Sequence, residues 1–508
     1  MAARLHRATY QWDGPARRRV ADTFANRNND LQVLRRGEGA FDEFKHLEAP
    51  DLLRDLAAPA QPMSTSEAFG KLGFPESGLP PDEDLIQLLV NAAEIEQGLM
   101  IQYLYAAATA GSNELATHLT TIAVEEMGHF MTVQNLLVTF GAAPHLAHGD
   151  WVDADFFKPF EFKLEAASRL SVAKYTVAEM PSKDSGHIDG AQSALLPDIL
   201  KDAVASAGDT NVAAHRVGLL YMKIYWLLRD GDEPLPDGQV EPWEDYPVAM
   251  VAADYPKLHI SAGLFQPANV ARTGLLADWT APGRDMKIRP TGSRADALQA
   301  IADLSAQGEG FSGSVDGHFD KFVRAWSVPA TTFPDPAGFA KNPWYRDPAV
   351  PLTDRAGDEI INPLAIAFAR MGDKAYEAVV LTIAMYLLLP VTAPATSRSA
   401  MAAASMKCMS NCLLPCMRTL GRLQVVSDPT GPRKLCGLPY LQSPLLVAQD
   451  AASVRARIGV LKDEIAAVAA EVPGLLGATV ILKNTARSLS ASMAHDVWRP
   501  VDDAGQHV

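Results

Sequence analysis

Cysteine is scarce in this chain, four residues in 508, too few for a disulfide scaffold. Positive charge is also in short supply: Lys and Arg number 45 against 60 Asp and Glu, a formal charge of −15. A phosphate-reading surface needs clustered cations, so the balance argues against a nucleic-acid partner or an anionic membrane. Alternating strand patterns are rare and no internal repeat is evident. Long apolar runs are missing too. The longest, Ala378 to Leu389, is broken only by Thr382; at about twelve residues it falls short of the roughly twenty that span a bilayer and reads as a buried core helix. No apolar stretch follows Arg17, Arg18 and Arg19, so neither a secretory nor a twin-arginine signal is expected. The expectation is a soluble, cytoplasmic protein.

What is present is ample core material, with 48% hydrophobic and 21% charged residues. The pattern is mainly α. Residues 1–80 read as an N-terminal arm. Asp82-Glu83-Asp84 after Pro81 starts a helix with acid in its first turn, and apolar periodicity runs to about Ala108. Gly111-Ser112-Asn113 makes a turn, and a second helix runs from Glu114 to Phe140, punctuated by Gly141 and Pro144. Residues 145–210 read as a loop-rich insertion with one helix near Ser171–Glu179. A third long helix is expected over Asn211–Leu228, then an insertion over 230–292. A fourth starts at Ser293, where Ser293 and Asp296 have capping-box spacing, reaches Gln307, breaks at the glycines and resumes from Val315 to Trp326. The expected architecture is a metal-binding four-helix bundle over 81–330 with long loop insertions, followed by additional C-terminal helices over 331–508, near Asp373–Leu389, Arg398–Val425 and Asp450–Val472.

The chemistry lies on the helix faces. At about 100° per residue, Glu96 shares the side of Leu85, Leu89, Ala92, Met100 and Tyr103, whereas Glu94 falls on the far side and is expected to be solvated. Glu126 shares its face with Leu119, Ile122, Phe130 and Val133; Glu125 flanks that face, and His129 follows Glu126 by three residues. No Lys or Arg occurs between Lys71 and Lys158, so neither helix brings its own cation to carboxylates that are costly to bury unpaired. A divalent metal is one partner that resolves this, since Glu on one helix and Glu-x-x-His on another form the ligand pattern of bundle metal sites. A satisfied polar core is the competing reading. On the fourth helix, Glu309 lies on the side of Leu298 and Ala302, and His318 opens the resumed segment.

The run Ala93-Glu94-Ile95-Glu96 through Ile101-Gln102-Tyr103-Leu104, with Val124-Glu125-Glu126-Met127-Gly128-His129-Phe130, resembles the ferritin-like domain of the iminophenyl-pyruvate dimer synthase group. That group includes imine-coupling enzymes of violacein- and rebeccamycin-type bisindole biosynthesis. Val217-Gly218-Leu219-Leu220-Tyr221, Gln307-Gly308-Glu309-Gly310 and His318-Phe319 resemble its third and fourth helix motifs. The resemblance implies a ferritin-like four-helix bundle with Glu96, Glu126, His129, Glu309 and His318 as metal ligands. One departure stands out: Leu219 sits where the motif often carries Glu or Gln, and no acid occurs between Asn211 and Leu228. His215 reads either as a substitute ligand or as a hydrogen-bonded core histidine, and Tyr103 and Tyr221 either as donors to the ligands or as core packing.

Cys408, Cys412 and Cys416 fall at i, i+4 and i+8 among several methionines. They read either as core packing or as a soft-metal site, with Pro415 expected to kink their helix. The functional expectation is an oxidoreductase that binds one or two iron ions (manganese or copper being the other ions such donors suit). It would use dioxygen or peroxide on a small amino-acid-derived substrate. Metal storage and a non-catalytic scaffold are the alternatives, and homo-oligomer formation is left open.

Overall fold

The computed structural model describes residues 79–147, 160–180, 188, 190–207, 216–229, 260, 262–271, 273–279, 286–308, 317–346, 357–389, 393–427, 433–441, 451–472 and 480–492. The N-terminal arm, most of the 230–292 insertion, His215 and Glu309 lie outside these residues.

Two long helices form the first hairpin. In α1, Pro81–Ala108, Pro81 takes the first-turn position that needs no N–H donor, and Asp82, Glu83 and Asp84 face the helix dipole favourably. In α2, Asn113–Thr139, the Ser112 side chain accepts a hydrogen bond from the Leu115 N–H as N-cap. Helix α3, Arg169–Ala178, opens on a reciprocal Ser168–Ser171 capping box, and α4, Gly190–Ala207, packs against it. The helix expected near Ser171–Glu179 is thus present as α3, and α4 is a second helix in the 145–210 region that the pattern did not suggest. Helix α4 carries Pro197 in its interior, which obscures the sequence pattern.

Helix α5, Arg216–Leu228, packs on α1, where Lys223 pairs with Asp84 at 3.0 Å. A one-turn helix α6, Pro267–Val270, leads towards α7, Arg294–Gln307. Ser293 caps α7 by accepting from the Asp296 N–H at 3.1 Å, and its hydroxyl donates to the Asp296 carboxylate at 2.8 Å. Arg294 donates to the carbonyls of Leu228 and Ile260, satisfying the end of α5 with a cation. Helix α8, His318–Trp326, completes the interrupted fourth rod and packs against α2 and α3. Thus α1, α2, α5 and α7–α8 are the four rods, with α3 lying against α8.

Beyond them come α9 (Pro363–Leu388), α10 (Ala395–Cys408), α11 (Leu414–Leu420), α12 (Ala451–Glu471) and α13 (Val480–Ser492). Gln97 of α1 donates to the Tyr376 hydroxyl of α9 at 2.7 Å, tying this region to the bundle. The expected single helix over Arg398–Val425 is divided by a π-helical turn, Met409–Leu413. The wider turn just before Pro415 accommodates a residue that cannot donate to the helix ladder. No helix of the described residues is long and apolar enough to cross a membrane.

An extended strap, 286–291, lies along one side of α2. Thr132 Oγ1 accepts from the Arg289 N–H, Asn135 donates to the Arg289 and Gly274 carbonyls, and Thr139 bonds Thr291. Gly128 continues this stripe by one turn. A Cβ there would stand 2.8 Å from the Lys287 nitrogen and 2.9 Å from its carbonyl oxygen. Alanine normally gains about 1 kcal/mol over glycine inside a helix, but a collision with backbone cannot be relieved by a side-chain rotation, and overpacking costs about 1–3 kcal/mol. Gly128→Ala is therefore expected to lower unfolding stability by about 1–2 kcal/mol. Denaturant unfolding checks this, and a stabilised variant would mean that the strap is not seated on α2.

Candidate metal centre

Six polar side chains from four elements converge between the rods: Glu96 from α1, Glu125, Glu126 and His129 from α2, Glu179 from the end of α3, and His318 from the first turn of α8. None is more than 2% exposed. Glu126 is central. Its Oε2 lies 2.9 Å from Nδ1 of His129, and its Oε1 lies 3.1 Å from Nδ1 of His318. Glu96 Oε2 stands 3.5 Å from His129 Nδ1, and Glu179 Oε2 stands 3.4 Å from His318 Nδ1. The two imidazoles stack with centroids 5.1 Å apart.

These contacts are close but poorly aimed. Glu96 Oε2, Glu126 Oε1 and both nitrogens of each histidine are buried without a hydrogen bond of acceptable direction, although buried polar groups are normally paired. Buried nitrogen and oxygen atoms that approach within about 3 Å without aligned hydrogen bonds leave their lone pairs available to a shared cation. Among the described residues, Glu126, His129 and His318 form the one group of three whose ligand atoms lie mutually close enough to hold a metal ion.

A further layer holds these groups. Tyr221 of α5 donates to Glu96 Oε1, so the third rod contributes a phenol to the cluster. Tyr103 donates to Glu179 Oε1 at 2.6 Å, and burial together with the nearby Glu179 and Glu126 holds its hydroxyl protonated, with its pKa well above the ordinary value. Lys321, one turn after His318, donates to Glu125 Oε1 at 2.5 Å, while Glu125 Oε2 lies 3.0 Å from His318 Nε2. Burial would raise the Glu125 pKa, but His318 and Lys321 outweigh it and bring it down to about 2. Gly308, at the end of α7, comes close enough that a Cβ would lie 3.4 Å from His129 Cε1.

Four of the five expected ligands, Glu96, Glu126, His129 and His318, are thus brought together; Glu309 lies outside the described residues. Glu94 corrects the expectation of a solvated side chain: it is buried and bonded to His145 at 3.0 Å, because the chain after α2 folds back over α1. Glu125 does not merely flank the face but is fully buried. Glu179 and Lys321 were missed. The available signal for Glu179 was an acid at a helix C-terminus just before Pro181, where the dipole disfavours it. The four cysteines are buried free thiols, and among the described residues they belong to no group of three metal donors. Burial pushes the Cys436 thiol up to about 12 and Cys408 higher still, as expected of core packing.

Residues 89–326 match the family model described as Ferritin-like. That segment begins within α1 and ends at the last residue of α8, so it takes in every element that faces the cluster. The fold is thus a ferritin-like helical bundle carrying a Glu/His/His group able to hold a metal. No curated protein and no solved structure matches the chain.

Protons and a cation compete for the same atoms. Burial and the neighbouring Glu126 push Glu96 up to about 7. Burial would lower His129, but Glu126 and Glu96 prevail and raise it to about 10. Both values are raised on folding, so each group contributes stability that is full below its ordinary pKa and lost as pH climbs through the folded one. The windows are 4.5 to about 7 for Glu96 and 6.5 to about 10 for His129. Glu125 has the opposite sign and loses its contribution as pH falls from 4.5 towards about 2. The chelator-treated protein is expected to lose thermal stability from about pH 7 to 10, while the rise in Tm given by saturating Mn(II) grows from about pH 6 to 9. Melting curves across that range decide it; an ion-free Tm that climbs with pH would contradict the assignment.

Proposed function

We propose that the chain is a metal-dependent oxidoreductase that uses dioxygen or peroxide to oxidise or couple a small amino-acid-derived substrate. Glu126, His129 and His318 hold the ion, with Glu96 beside them. One observation carries this reading: buried carboxylate and imidazole atoms crowd together without aligned hydrogen bonds, which a satisfied polar core would not leave.

Imidazole and carboxylate donors without thiolate suit iron or manganese, and the ferritin-like match supports iron. When bound, such an ion supplies redox chemistry towards dioxygen or peroxide and a Lewis-acid contact. The rest is the work of the chain. Tyr221 and Tyr103 hold one oxygen of Glu96 and of Glu179, leaving the other facing the cluster. Glu125 and Lys321 back His318 from its far side. Buried Phe130, Phe322 and Tyr175 keep bulk water away, which strengthens the electrostatic interactions inside. The resemblance to imine-coupling enzymes supports an amino-acid-derived substrate and a biosynthetic role.

Elemental analysis of the purified protein and of Glu126→Ala, combined with oxygen-uptake measurements, tests the reading. The native chain is expected to carry iron in a small fixed ratio. Glu126→Ala should bind it more than about 100-fold more weakly while keeping its far-UV circular dichroism, since losing only a partner behind a ligand costs about 10–100-fold. Unchanged metal content in Glu126→Ala overturns the ligand assignment. Rapid oxidation of many irons per chain, without any substrate dependence of oxygen uptake, would indicate storage instead.

A further inference from the structure

A crevice leads from the surface to the edge of the buried cluster. It lies between α2, the 286–291 strap and α7, holds about 160 Å³ of space, and has His129, Thr132, Lys287, Arg289, Asp303 and Gln307 in its walls. His129 is 2% exposed and forms the floor. Lys287 is exposed, Arg289 and Asp303 are partly so, and these three form the mouth. The walls stand too close to seat a water molecule between them. The passage is narrow.

The sequence of the strap decides which side chains face it. In extended backbone alternate residues share a face. Met286 and Ile288 are buried, which leaves Lys287 and Arg289 together on the other side. Their backbone is fixed: the Arg289 N–H donates to Thr132 Oγ1, its carbonyl accepts from Asn135, and Gly128 admits the Lys287 peptide against α2. A chain with a formal charge of −15 thus sets two cations at this mouth, and Asp303 is the one acid among the described residues that line the crevice.

The fold does not use up these cations. The Lys287 ammonium has no ion pair among the described residues. Arg289 Nε lies 2.9 Å from Asp303 Oδ2 but is buried without a hydrogen bond of acceptable direction, and the other Asp303 oxygen accepts from Gln299 at 2.8 Å. With 37% and 24% of the two side chains exposed, such a pair is weakly held. It also joins the strap to α7 across the crevice, so parting it widens the passage. A guanidinium binds a carboxylate best through two parallel N–H donors. The misaligned Asp303 does not meet that geometry, and an entering carboxylate is free to.

We infer that this crevice is the entrance to the metal centre and that it selects small molecules carrying a carboxylate. Arg289 and Lys287 bind the carboxylate at the mouth, Asp303 is the internal counter-ion that it displaces, and the rest of the molecule lies towards His129. The inference rests on the metal-dependent reading above. It adds the charge class of the substrate and the residues that recognise it. An ammonium in the same place meets like charge, and an uncharged group leaves Arg289 with Asp303, so both are discriminated against.

Proton relaxation of butanoate, butanamide and butylamine by the Mn(II)-loaded full chain tests this, because the three share a chain length and differ in charge. Butanoate protons should be relaxed, the methyl more strongly than the methylene beside the carboxylate, and the amide and amine should bind at least about tenfold more weakly. Arg289→Gln and Lys287→Gln should each weaken butanoate by about tenfold, as expected for a lost hydrogen bond between charged groups, with Mn(II) binding unchanged. Asp303→Asn frees Arg289 and should tighten butanoate severalfold, a gain that a merely structural role would not give. Equal binding of the three probes, a methylene relaxed more than the methyl, either glutamine variant indistinguishable from native, or weaker binding by Asp303→Asn would overturn the inference. Mn(II) bound without relaxation of butanoate defeats only the entrance, whereas no specific Mn(II) in the native chain defeats the metal centre and the entrance with it.

Discussion

The structure is organised around the cost of removing four carboxylates from water. Glu96, Glu125, Glu126 and Glu179 all lie at most 2% exposed within one cluster, and an ionised carboxylate in such surroundings costs several kcal/mol unless it is paired, protonated or coordinating. The first two helices offer no lysine or arginine. Lys321, arriving from the fourth rod, answers for Glu125 alone. The remaining negative charge is met by protons on imidazoles and on Glu96, or by cations, and the raised pKa values of Glu96 and His129 express that demand.

The surrounding architecture serves this constraint. The break between α7 and α8 brings His318 to a helix start, where its ring enters the bundle with Lys321 one turn behind. Arg294 ties the start of α7 to the end of α5. The strap over 286–291 is seated on a stripe of small and polar residues of α2, the helix that carries three of the six cluster side chains. Within the insertion between the second and third rods, α3, a helix the sequence pattern suggests, delivers Tyr175 and, at its C-cap, Glu179 to the interior.

Much was readable in advance. The α1–α2 hairpin, its caps and its length followed from apolar periodicity and turn residues, which are local properties. Glu96, Glu126 and His129 were readable for the same reason, because their spacing on an apolar face dictates an inward direction whatever the helix packs against. Glu94 was misread because a face that looks exposed on an isolated helix is covered here by the return of the chain through His145. The π-helical turn before Pro415 and the helix containing Pro197 were hidden because proline is a local stop signal that neighbouring structure can accommodate.

The sequence by itself determined a mainly helical chain with a core-facing carboxylate on one helix and a Glu-x-x-His on the next, because helical periodicity fixes direction without reference to partners. Tertiary structure decided which groups meet. Residues as distant in sequence as Glu96, Glu179 and His318 share no local pattern, and only tertiary packing brings each of them within about 3.5 Å of another member of the cluster. Charge burial is a property of that assembled interior, so the balance between protons and cations could be read only once the rods were in place.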